Sequence, residues 1–149
     1  MKDKKLNKTS FYPENFTFVD LGLPSDRLWA TENAPGHYTF DEAVDTFGEL
    51  LPKASAMMEL NEECKCTWND EKKGLDITGP NGNSIFLPAD GYRGGVSVND
   101  VGSHGYYWSS SFLDEYAASY ASFRSDGLYP QGGSSRSCRF SVRPCKESH

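Results

Sequence analysis

A chain of 149 residues with 37% hydrophobic, 13% aromatic and 24% charged side chains suffices for one domain with a real core, which excludes a disordered or fibrous protein. Its 21 acidic and 15 basic residues leave a net charge of −6. That balance argues against a nucleic-acid backbone or an anionic membrane as the main partner, and no apolar run is long enough for direct membrane insertion.

Residues 1–15 read as a flexible lead-in holding the basic run Lys2 to Lys8. Charge without a following apolar segment shows no signal peptide, so localisation is left open. Phe16 to Asp20 alternates as a strand does, Leu21 to Asp26 reads as a turn, and Leu28 to Thr31 is a second extended piece. Thr39 followed by Glu42 has the form of a capping box, and Phe40, Ala43, Val44 and Phe47 recur at helical spacing, which predicts an amphipathic helix to about Leu50. A second helix is expected from about Lys53 to Cys64. Its Met57, Leu60 and Cys64 stripe reads as core packing, and Lys53 stands where a capping side chain would help by about 1 kcal/mol.

After Cys66 the pattern changes to alternation. Leu75 and Ile77, the turn Pro80-Asn81-Gly82, and Ile85 and Leu87 predict a hairpin. Extended segments are expected at Tyr106 to Ser111, Tyr116 to Arg124 and Cys138 to Arg143, with Gly94-Gly95 and Gly132-Gly133 marking loops between them. The order predicts an α+β domain over residues 16–145, followed by a short tail at 146–149. Its two helices stand apart from an antiparallel sheet closed by pairing of the N- and C-terminal strands. Trp29, Phe47, Leu60, Ile85, Leu87, Trp108 and Phe140 are the expected core.

No catalytic constellation stands out, so the chain is not expected to be an enzyme, and no cofactor is expected. His37, His104 and His149 lie in no metal motif, Ser109 to Ser111 lacks the frame of a nucleophile elbow, and Gly91 to Gly95 lacks the Lys-Ser/Thr of a phosphate loop. No metal site is expected: Asp20, Asp90 and Asp100 match no calcium loop, and Cys64, Cys66, Cys138 and Cys145 lack the usual zinc spacing. Two disulfides, partial pairing or free thiols all remain open.

The chain has eight of its nine lysines before Gly74 and none from Gly74 to Cys145. Tyr, Ser, Gly, Arg, Asp and Ala fill the stretch instead. That composition suits an adaptable binding face, in which Tyr gives rigid contact area and Ser and Gly compliant hydrogen bonding. It equally suits a plain run of exposed strands and turns.

Four ordered strings carry a resemblance: Phe18 to Ser25 with Leu28 to Thr31; Gly79 to Ala89 with Gly91-Tyr92-Arg93; Gly105 to Ser111; and Phe140 to Pro144. Together they resemble the Fibrobacter succinogenes major paralogous domain family over roughly Phe16 to Pro144. The resemblance implies a C-type-lectin-like fold related to the formylglycine-generating enzyme fold, whose catalytic cysteine pair has no recognisable match here. Proteins of this fold also serve as the variable proteins of diversity-generating retroelements, whose randomised codons exclude Lys, Glu, Gln, Met and Trp. Phe112 to Arg139 holds only Glu115 and Gln131 from that set. The resemblance therefore implies a diversifiable face for a protein or glycan ligand on another cell or particle, displayed on a bacterial surface or phage, or else an ordinary member whose loops have drifted. The face is expected to comprise Phe112, Asp114, Tyr116, Ser119, Tyr120, Ser122, Arg124, Tyr129, Ser134, Ser135 and Ser137. Strand alternation prevents all of them from sharing one side. A structural or assembly domain that binds nothing diverse is the competing expectation, and the oligomeric state is open.

Overall fold

The computed structural model describes residues 16–95, 97–112 and 116–147. The chain runs β1 (Phe18–Asp20), β2 (Leu28–Ala30), α1 (Phe40–Phe47) with a 3-10 turn at Gly48–Leu50, and α2 (Ala54–Glu63). It continues through β3 (Lys65–Asn69), β4 (Gly74–Thr78), β5 (Ser84–Pro88), β6 (Tyr92–Gly94) and β7 (Ser97–Asn99). The last strands are β8 (Gly105–Phe112), β9 (Ala117–Arg124), β10 (Gly127–Ser135) and β11 (Cys145–Lys146). Among the described residues these make an α+β arrangement of four open antiparallel sheets, ordered β1-β2-β11, β10-β9-β8, β3-β4-β5 and β6-β7.

Both helix starts follow their residues. The Thr39 Oγ accepts from the Glu42 N–H at 3.2 Å, and the Thr39 N–H donates to Glu42 Oε1 at 2.9 Å, completing the capping box. Lys53 caps α2 without any side-chain bond. In the hairpin between β4 and β5, Gly82 takes a φ of 91° that a Cβ would strain. The Asn81 and Asn83 amides, each at 2.9 Å from the Asp20 carbonyl, tie that turn to β1.

The sheet β8-β9-β10 divides the interior. One of its faces, through Tyr107, Ala121, Phe123 and Leu128, packs on Ala56, Met57 and Leu60 of α2 and on Leu75, Ile77, Ile85 and Leu87 of the β3-β4-β5 sheet. The opposite face, through Trp108 and Ala118, packs on Phe40, Ala43 and Phe47 of α1 with Phe140 and Val142. All seven residues expected in the core are buried. Arg143, at 1% exposure, staples the layers: its guanidinium donates to Asn33 Oδ1 at 2.8 Å and to the Ala30 and Phe86 carbonyls at 3.1 and 2.6 Å.

Three expectations are corrected. The two ends of the chain do share a sheet, through β2 and β11, but β1 and β11 do not pair directly and no sheet is closed. The segment expected as a last strand at Cys138 to Arg143 makes isolated bridges instead, Phe140 to Tyr38, Arg139 to Arg93 and Ser141 to Tyr107. Three different neighbours each take one residue of it, and Pro144, with no N–H, separates it from β11. Gly132-Gly133 is no loop, since both glycines lie inside β10 and pair with Tyr120 and Ser119 across a register shift.

Candidate functional site

Alternation along β9 sorts the expected binding residues. Ala118, Tyr120, Ser122 and Arg124 share one face of the sheet, whereas Ser119, Ala121 and Phe123 share the other. Ser119 is 6% exposed, so its hydroxyl is not on the surface. In the next strand Tyr129 stands opposite Ser122 and Gly132 opposite Tyr120, which brings the Tyr129 ring to the open face. Phe140 and Trp108 cover one part of that face and leave the rest uncovered.

At the uncovered part His104, Tyr106, Tyr120, Ser122, Arg124 and Tyr129 line a shallow cleft of about 270 Å³. Its floor is an aromatic stack rooted in the core. Trp108 and Phe140 have ring centres 4.3 Å apart, Phe140 and Tyr106 5.3 Å, and Phe140 and Tyr120 5.0 Å. The His104 ring lies parallel to Tyr106 at 5.9 Å. Rings packed on one another in this way, some stacked and some tilted, are held in place before any ligand arrives. The Tyr106 hydroxyl donates to Asp100 Oδ2 at 2.9 Å; burial above all, with that bond and the carboxylate's charge, raises its pKa and keeps it protonated.

The rim is polar and exposed. Arg124 Nε donates to Asp126 Oδ1 at 3.2 Å, and the guanidinium lies 5.2 Å from the Tyr129 ring centre. The neighbouring Tyr129 hydroxyl, ahead of the ion pair itself, holds the Asp126 carboxyl below its ordinary value and Arg124 above its own.

A second hollow, of about 460 Å³, lies at the other end of the sheet, lined by Thr39, Asp41, Tyr116, Ser135, Arg136 and Ser137. Tyr116 is 75% exposed there, and the Ser135 and Ser137 hydroxyls meet at 2.8 Å. Eight residues of strand separate Tyr116 from Arg124, roughly 26 Å. Ser134 lies between the two ends, its hydroxyl 3.8 Å from Cys138 Sγ. Asp114 and the side chain of Phe112 fall outside the described residues. The expected face is thus two patches on one sheet, less Ser119.

His104, Tyr106 and Asp126 were not foreseen. Strand parity gave a signal for Tyr106, which shares a side with Trp108, but nothing local shows that the Gly102 to Gly105 loop folds back against it. A larger groove of about 710 Å³ beside α1 is lined by Phe40, Asp41, Glu42, Val44 and Arg136 among others. Asp41 and Glu42 are already paired there with Arg136 and Arg139.

Among the described residues no group of His, Cys, Asp or Glu could hold a metal ion, and all four cysteines are free thiols. Burial pushes the Cys64 thiol up to about 11 and Cys145 to about 12, and raises Cys66. Such thiols are poor nucleophiles. A family model described as a domain of unknown function (DUF8237) matches residues 49–145, nearly two-thirds of the chain. No curated protein and no solved structure matches.

Proposed function

The chain belongs to the DUF8237 family, a domain of unknown function, and we propose that it is a ligand-binding display module without catalytic activity. The observation that carries the reading is the outward face of β9 and β10. Tyr120, Ser122, Arg124 and Tyr129 share it, above an aromatic floor continuous with the core. Tyr and Arg are the residues that dominate binding hot spots, and here the stack beneath them limits the ordering cost on association.

A partner that reaches both patches spans roughly 26 Å of strand, which suits the surface of a protein or glycan on another cell or particle. In this reading the two helices and the open antiparallel sheets form the C-type-lectin-like arrangement to which the sequence strings point. The lysine-free stretch is then a region open to diversification by a retroelement, and display on a bacterial surface or phage follows from that role.

A library randomised together at Ser122, Arg124, Tyr129, Ser135 and Ser137 tests the proposal. A display module yields mostly folded members and specific binders to unrelated protein targets. A library that mostly unfolds, or folds and yields no binder, contradicts it.

A further inference from the structure

We propose that the cleft at the Arg124 end takes a carboxylate, in competition with the chain's own Asp126. This rests on the reading of that face as a ligand site and names the chemistry of its ligand. The lining of the cleft is rich in donors: the Arg124 guanidinium, the His104 imidazole, and the Tyr120 and Ser122 hydroxyls. Although the chain carries 21 acidic residues, no carboxylate lines the cleft among the described residues. The planar guanidinium fork matches a carboxylate in shape as well as in charge.

The second observation is Asp126 itself. It belongs to the two-residue turn Ser125-Asp126 between β9 and β10 and stands beside the cleft without lining it. Its carboxylate takes the Arg124 Nε–H, and so performs inside the molecule the contact that a ligand carboxylate would make. Both partners are more than half exposed, at 52% and 58% of their side-chain surface. A pair so exposed is worth little and exchanges readily for an external anion. An acidic sugar and an acidic peptide side chain present the same carboxylate to the guanidinium, and a sugar ring beside it would rest on Tyr106 and Tyr120.

The test is an NMR titration of the labelled full chain with four probes at matched ionic strength: glucuronate, glucose, N-acetylglutamate and N-acetylglutamine. Shifts confined to the His104, Ser122 and Arg124 region with at least one of the two carboxylates, and absent with its neutral counterpart, support the proposal. The carboxylate that binds then identifies a glycan or a peptide source. Asp126→Asn should tighten that binding roughly two- to fivefold by removing the competitor, and Arg124→Gln should abolish it. Both sites are exposed, so melting curves matching the wild type establish that the variants fold. Equal shifts from charged and neutral probes, no shift from either carboxylate, or an Asp126→Asn variant that binds no more tightly would overturn it. The broader display reading stands or falls separately, on the randomised library.

Discussion

The ring of Tyr120 lies directly over Gly132 on the neighbouring strand, so close that a Cβ at Gly132 would sit 2.8 Å from the ring's Cζ and 2.9 Å from Cε1. The contact explains a glycine inside a nine-residue strand: it makes room for the aromatic floor of the cleft. Gly132→Ala should push the far end of a pivoting side chain, at a cost of roughly 1 kcal/mol. The Tyr120 and Tyr106 ring resonances should move while the β3-β4-β5 resonances stay. An unchanged Tyr120 environment would show that the ring does not depend on that glycine.

The two helix starts allow a paired comparison. Thr39→Ala removes a complete capping box and should lower stability by about 1 kcal/mol. Lys53→Asp or Lys53→Ser supplies a cap that α2 lacks and should raise stability by about 0.5–1 kcal/mol. Urea midpoints at constant slope measure both, and a neutral outcome at Thr39 would mean that packing of Phe40 alone sets the start of α1.

Interior and surface should behave as opposites. Trp108 packs on Phe140 and Phe40 and donates its indole N–H to the Tyr38 carbonyl at 2.7 Å. Trp108→Ala should cost about 3–5 kcal/mol, a large part of a typical domain's total stability. Arg143→Met should be comparably severe, since three acceptors that it satisfies would be left without their donor. Calorimetric or urea unfolding of each variant checks the magnitude.

The chain should lose stability in alkali. Burial raises the Cys64 thiol to about 11, and Cys145 and Tyr38 to about 12, against ordinary values of 9.0 for the thiols and 10.0 for Tyr38. Between pH 9 and 12 the unfolded chain releases these protons first, so it binds fewer protons than the folded one and stability falls as pH rises. Below pH 9 these groups contribute no slope. Unfolding followed by circular dichroism from pH 8 to 12 should show the decline begin above pH 9; a flat profile would mean that the thiols and Tyr38 meet solvent.

Local rules made part of this fold legible. Thr39 with Glu42, the Pro80-Asn81-Gly82 turn and the apolar alternation of Leu75, Ile77, Ile85 and Leu87 all act within a few residues, and each gave the right element. Strand β3 carried a readable signal in the inward Cys66 and Trp68 around Thr67, but it follows α2 so closely that the change of period hid it. Gly132-Gly133 misled because glycine shows no alternation, and its reason for being in a strand is Tyr120, twelve residues away. The side chains proposed to form a binding face show in the sequence as composition and as strand parity. The joining of His104 and Asp126 to it depends on how two loops fold back, which no local pattern records.

The cleft and hollow residues stand on a frame that folds without them, so they should contribute little to stability. Thermal unfolding of one variant carrying Ala at Tyr116, Ser122, Arg124, Tyr129, Ser135 and Ser137 measures that contribution. The transition should stay cooperative, with Tm lowered by less than about 8 °C, as befits exposed positions. A non-cooperative melt, or a fall of more than about 20 °C, would show instead that these side chains hold the fold together.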